Sequence, residues 1–129
     1  ATGTTVAAFA MILVMLPCFL FAMYEKNGMP LEKVNIGLPF YSRPTDMSAY
    51  WYGYNGCYDE MSEDGWYHCD EINKDFWFNT PEIIEAKTEY AINNGFGGVM
   101  IWHYNCDLPS THEDSLLKAI DNALNSNQA

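Results

Sequence analysis

The sequence predicts an α/β protein, and three observations carry that reading. A short run with β-branched residues, Val34 to Tyr41, is followed at a distance by a continuous apolar run, Phe96 to Trp102. Between them, Thr80-Pro81-Glu82 has the chemistry of a helix start. After the second run comes an amphipathic Leu- and Ala-bearing segment. Strand, helix, strand and helix in that order is the pattern of a parallel sheet with crossover helices.

Taking the elements in order, residues 6–23 are 18 residues without a charge, VAAFAMILVMLPCFLFAM. That is near the length needed to cross a bilayer. The Lys or Arg that precedes a secretory leader is missing, and Pro17 would kink a helix. Three readings stay open: a membrane or export segment, a buried helix of a core, and a miscalled or truncated gene start. We place a boundary here, with 1–23 as the apolar segment and 24–129 as the folded part.

Tyr24-Glu25-Lys26-Asn27-Gly28 reads as a helix end, with Gly28 suited to the left-handed cap. Pro30 blocks continuation. The strand candidate Val34 to Tyr41 has Pro39 at its end or on an exposed edge. Residues 44–79 then hold eight acidic side chains, one Lys and ten aromatics. Glycines punctuate this stretch, so it reads as an aromatic-rich loop or small α+β module of short strands and turns. Its aromatic density argues against disorder.

Thr80 can cap the next helix, Pro81 suits its first position, and Glu82 favours the positive end of its dipole. Ile83, Ile84, Tyr90 and Ala91 supply an apolar stripe, and Asn94-Gly95 stops the helix. The unbroken FGGVMIW run predicts a strand covered on both faces. Ser110 with Glu113 reads as a capping box for the last helix, whose apolar face is Leu116, Leu117, Ile120 and Leu124.

Charge narrows the partners. Seventeen acidic residues face six basic ones, for a net charge of −11. Nucleic acid and anionic membrane surfaces reward Lys and Arg, so neither is expected as a partner; membrane association is expected only if 6–23 supplies it. No phosphate-cradling Gly loop, HExxH or EF-hand pattern is present. Cys57 and Cys69 bracket a short stretch and fit either a disulfide or two free thiols. His103-x-x-Cys106 with Cys57, His68 and Cys69 can be written as a zinc set, but no Cys-x-x-Cys pair supports it. We therefore expect no metal and no cofactor.

Leu31-Glu-Lys-Val-Asn-Ile-Gly-Leu-Pro-Phe-Tyr-Ser-Arg43 resembles the seventh-strand region of glycoside hydrolase family 18, the chitinases and chitinase-like proteins. Lys87 in the next helix, Gly-Phe-Gly-Gly-Val-Met-Ile-Trp102, Asp107 and Ser115 to Ile120 resemble the rest of that domain, through the eighth strand to the close of the barrel. The resemblance implies a partial TIM (β/α)8 barrel, strands seven and eight with their helices, with an insertion at 44–79. It also implies hydrolysis of β-1,4-linked N-acetylglucosamine polymers by a retaining, substrate-assisted route, in which a protonated Glu serves the leaving oxygen and the substrate's acetamide attacks. The family's acid signature, Asp-x-x-Asp-x-Asp-x-Glu, is spelled by none of the acidic clusters, so no catalytic residue is assigned. A complete barrel takes about 250 residues, twice this chain.

Three side chains are expected to bind substrate. Trp102 ends the second strand and resembles the Trp that floors the cleavage subsite; indole suits the C–H face of a pyranose. Its other reading is a core Trp. Tyr41 and Arg43 come after the first strand, where the resemblance implies contacts to sugar hydroxyls, the acetamide or carboxylates. Arg43 is the one Arg of the chain and could equally serve a structural ion pair. Trp51, Tyr52, Tyr54 and Trp66 are either sugar platforms or a local core. Phe78-Asn79 stands where many family members carry Tyr-Asp. The expected ligand is chitin or an N-acetylglucosamine oligosaccharide, the alternative function a chitinase-like protein that binds carbohydrate without cleaving it, and the expected location secreted or at the cell envelope.

Overall fold

The computed structural model describes residues 22–126. Most of the apolar segment 6–23 lies outside them. No helix among the described residues is long and apolar enough to cross a membrane.

Residues 22–26 are helical, and Gly28 takes φ +82° just after them, as its position in the sequence suggests. β1 (Asn35–Pro39) lies parallel to β6 (Gly98–Trp102), with Asn35 opposite Gly98 and Pro39 opposite Trp102. α2 (Pro81–Asn93) is the crossover element between them, and it packs on both strands and on α3 (Leu116–Ser126). The short α1 (Tyr54–Cys57) precedes both helices.

The period-2 alternation of β1 explains the core. Ile36 and Leu38, with Phe40 beyond the strand end, bury one face. Ile84 and Ala91 of α2 and Leu116, Ala119 and Ile120 of α3 join them in the same cluster. On the opposite face, Met100 and Trp102 are exposed. Among the described residues the sheet is covered on one face, where the apolar run of β6 suggests cover on both. In a two-stranded sheet every second side chain of β6 must point away from the helices, and no second layer meets those side chains among the described residues.

Three further expectations are corrected. Ser110 and Glu113 lie in turns and do not cap α3. Ser115 stands at the cap position, its hydroxyl accepting the Lys118 N–H at 3.3 Å, and the Asp107 carboxylate reinforces it by accepting the backbone N–H groups of Leu116 (2.8 Å) and Leu117 (2.9 Å) and the Ser115 hydroxyl (2.9 Å). Leu124 is exposed; Ala119 and Ala123 complete the buried stripe with Leu116 and Ile120. Thr80 precedes α2 in extended conformation and makes no side-chain cap bond, while Pro81 opens the helix.

Residues 44–79 contain β3 (Tyr52–Gly53), α1, β4 (Trp66–Cys69) and β5 (Lys74–Trp77). β3 pairs antiparallel with β2 (Tyr41–Ser42), and β4 with β5. Their aromatics divide. Tyr54, Phe76 and Phe78 are buried, and Tyr52 packs edge-on to Phe76 at 5.1 Å. Trp51 and Trp66 stay exposed. Cys57, Cys69 and Cys106 are buried free thiols.

Candidate functional site

Parallel pairing brings the ends of β1 and β6 to the same edge of the molecule. Beyond Pro39, the Phe40 N–H donates to the Trp102 carbonyl at 2.8 Å. Tyr41 then starts β2, so Tyr41 and Trp102 leave adjacent strand tips running the same way. Trp102 lies on the open face with 62% of its surface exposed among the described residues.

Two rings connect these residues. The Trp102 indole meets the His103 imidazole edge-on at 5.9 Å. His103 meets Trp51 at 6.3 Å, and Trp51 meets Tyr41 at 6.0 Å. The result is a row of four aromatic rings across the strand tips. Such a row offers apolar faces edged by polar groups, the combination that binds the C–H faces and hydroxyls of a sugar. Arg43 is exposed nearby in sequence, but its guanidinium makes no hydrogen bond or ion pair among the described residues. The structure therefore joins Tyr41 and Trp102 and leaves Arg43 outside the row.

The scaffold beneath the row is polar and specific. Asn55 Nδ2 donates to the Asn105 carbonyl at 2.9 Å, tying α1 to the turn Tyr104–Cys106 after β6. Gly53 lies against the Cys106 side chain; a Cβ there would come within 3.1 Å of Cys106 Sγ. Behind β1, Asn79 Nδ2 donates to the Pro39 carbonyl (2.8 Å) and its Oδ1 accepts from Lys87 Nζ (2.8 Å). Lys87 is only 7% exposed. Burial pushes its ammonium down to about 8.

The burial of Lys87 has a signal in the sequence. Ile84, Lys87, Thr88 and Ala91 fall at i, i+3, i+4 and i+7, the spacing of one helix face. The zinc set that can be written from the sequence does not assemble. His103 Nε2 lies 3.4 Å from Cys106 Sγ, while His68 Nδ1 pairs with Asp75 at 2.7 Å. Among the described residues no three His, Cys, Asp or Glu side chains are grouped to hold a metal ion.

A cavity of about 480 Å³ lies elsewhere, lined by residues including Tyr54, Tyr58, Asp59, Glu63, Glu82 and Asp114. None of Tyr41, Arg43 or Trp102 borders it. The Tyr58 hydroxyl donates to Asp114 Oδ2 there, and that carboxylate and burial push the phenol up to about 12.

Among known proteins, the family model for glycosyl hydrolases family 18 matches residues 19–107. A model for PrgI family protein matches residues 1–36. No curated protein matches the chain. A cell-surface-expressed multi-modular chitinase of Paenibacillus sp. str. FPU-7 is similar at TM-score 0.62 and 25% identity, over 81% of this chain and 12% of that one. The Group IV chitinase of Ostrinia furnacalis, in complex with allosamidin, gives 0.61 and 24% over 82% of this chain and 38% of that one. The chitinase-like agglutinin of Robinia pseudoacacia gives 0.59 and 17% over 79% of this chain and 35% of that one. The chain thus spans well under half the length of each.

Proposed function

This chain belongs to glycosyl hydrolases family 18, and we propose that it forms the sugar-stacking side of a chitinase-like site. One observation carries the reading: Trp102, at the tip of β6, presents a largely exposed indole on the open face beside the tip that leads to Tyr41. The ligand would be a β-1,4-linked N-acetylglucosamine chain. Trp102 would lie beneath a pyranose ring, and the Tyr41 hydroxyl would bond its polar edge. Arg43, exposed and two residues beyond Tyr41, would reach the same ligand from the side.

The larger architecture we infer is a (β/α)8 barrel to which β1 and β6 contribute as strands seven and eight, with 44–79 as its inserted module. The share of about a third of the Ostrinia furnacalis and Robinia pseudoacacia chains that it matches supports this. In such a barrel the reaction would be retaining, with the substrate's acetamide as nucleophile and a protonated Glu as acid. No Asp-x-x-Asp-x-Asp-x-Glu run occurs in the sequence. The chain by itself would therefore hold sugar without cleaving it. The second reading, a chitinase-like carbohydrate-binding protein that is not an enzyme, is favoured by the same missing acid and by likeness to an agglutinin. The acidic, aromatic composition fits a protein that is secreted or held at the cell envelope.

The test is retention on chitin beads. The 129-residue chain should bind and be eluted by soluble N-acetylglucosamine oligosaccharide. Trp102→Ala should pass through. Equal retention of the variant would remove Trp102 as the platform, and release of reducing ends by the chain alone would contradict its role as a non-cleaving part.

A further inference from the structure

We propose that the cavity beside Tyr58 and Asp114 binds a small organic ammonium ion that carries a hydroxyl next to its charge, the chemistry of a 2-amino sugar such as glucosamine. The cavity is separate from the strand-tip row, so the inference stands apart from the sugar-stacking reading above and goes beyond it.

The cavity measures about 480 Å³, a size that holds small ligands. Its wall carries four carboxylates, Asp59, Glu63, Glu82 and Asp114, and no Lys, Arg or His among the described residues. The ion pairs among the described residues involve Asp46, Asp70 and Asp75, so none of the four is neutralised by a base. Glu82 stands in the first turn of α2 and offsets the positive end of that helix. The enclosed field therefore favours a cation.

Thr80 adds an unsatisfied polar group to that wall. It is 5% exposed, borders the cavity, and its hydroxyl has no hydrogen-bond partner among the described residues. Its methyl lies towards Gly65, where a Cβ would approach it to 3.2 Å, so the hydroxyl branch is turned away from that contact. A buried hydroxyl without a partner is costly, and a bound ligand supplies the partner. Asp114 is fixed by two phenols. The Tyr58 hydroxyl donates to its Oδ2, and the Tyr54 hydroxyl donates to its backbone carbonyl at 3.1 Å. Its Oδ1 accepts no bond among the described residues and stays available. His112 accepts the Asp114 N–H at Nδ1 (3.1 Å) and does not border the cavity.

These groups select the ligand. An ammonium has three donors and no acceptor, which suits carboxylate oxygens and the Thr80 Oγ1. The Thr80 O–H in turn needs an acceptor, and a hydroxyl beside the ammonium provides one. A bare metal ion does not fit, because its ligands must close to about 2.0–2.6 Å and no three His, Cys, Asp or Glu side chains among the described residues are so grouped.

The experiment titrates the full chain with glucosamine, N-acetylglucosamine and cyclohexylamine in about 0.15 M salt, at a pH where the amines are protonated, and reads the Thr80 methyl and the Tyr58 and Asp114 amides by NMR. Glucosamine should shift all three saturably. It should bind about tenfold more tightly than N-acetylglucosamine, which has the ring without the charge, and than cyclohexylamine, which has the charge without the hydroxyl. Thr80→Val, close in shape, should weaken glucosamine about tenfold, and Thr80→Ser should restore it. Asp114→Asn, which keeps an acceptor for Tyr58, should weaken it by at least about tenfold. No shift with glucosamine, or equal binding of N-acetylglucosamine at these signals, would overturn the cation site. Equal binding of cyclohexylamine, or affinity unchanged in Thr80→Val, would overturn the pairing with Thr80 that selects an amino sugar. Shifts spread over the acidic surface and unaltered in both variants would mean attraction to the net charge alone and would overturn the proposal. Every readout lies in the cavity, so its failure leaves the Trp102 site standing.

Discussion

Replacing Asp107 by Ala should destabilise the fold more than any substitution in the site itself. The Asp107 carboxylate is 8% exposed and accepts four hydrogen bonds, from Leu108 N, Leu116 N, Leu117 N and Ser115 Oγ. Leu116 and Ser115 are fully buried, so truncation strands donors that water reaches poorly. An unsatisfied buried donor costs about 1–3 kcal/mol, and loss of a helix N-cap costs about 0.5–2 kcal/mol. The negative charge at the first turn of α3 adds a few tenths more. Allowing for partial relaxation, about 3 kcal/mol is expected. With a urea slope of about 1.5 kcal/mol per molar for a domain this size, the midpoint should drop by about 2 M. Asp107→Asn keeps one acceptor oxygen and should lose about half as much. Ser110→Ala, at the position the capping-box pattern indicates, should shift the midpoint by less than about 0.3 M. Urea unfolding read by tryptophan fluorescence covers all three. A midpoint for Asp107→Ala within about 0.3 M of the parent would refute the cap, as would a larger loss in Ser110→Ala.

The buried lysine and one glycine give further expected outcomes. The Lys87 ammonium is pushed down to about 8 in the fold from 10.5 in a free chain, so the unfolded state binds more protons between those values and stability should rise with pH across that window. Below about pH 8 the burial costs on the order of 3 kcal/mol; Lys87→Met should remove most of it, so the parent's unfolding midpoint should lie below the variant's near pH 7 and close on it as the pH rises to about 9.5. Comparing variant with parent cancels the Cys57 thiol, which burial pushes up to about 11 and which acts with opposite sign in the upper part of that range. Gly65 has φ +89°, and a Cβ there would meet the Phe78 carbonyl at 2.5 Å. Gly65→Ala should cost about 2 kcal/mol or more in the same unfolding assay, because neither backbone can yield cheaply.

Much of the scaffold is legible in the sequence because its signals are local. Gly28 and Asn94-Gly95 end helices where left-handed or turning backbone is needed, and Pro81 opens one. The pairing of Val34–Tyr41 with Phe96–Trp102 can be anticipated from order and apolar character. What the sequence hides depends on distance. The α3 cap joins Ser115 to Asp107, eight residues before it, whereas the capping-box pattern looks only three residues ahead. The charge of Lys87 masks its place on the buried face, and its partner Asn79 lies outside the helix. The aromatics of 44–79 cannot be sorted from sequence, since Trp51 and Tyr52 are neighbours with opposite fates. Their difference is set by which one β3 turns towards Phe76.

The most direct measurement is a titration of the full chain with an N-acetylglucosamine tetrasaccharide, observed at the Trp102 indole N–H by NMR. Our account predicts a saturable shift at Trp102 that extends to Tyr41 and His103 and is lost in Trp102→Ala. No shift at Trp102, or shifts confined to the carboxylate-lined cavity beside Tyr58 and Asp114, would contradict it.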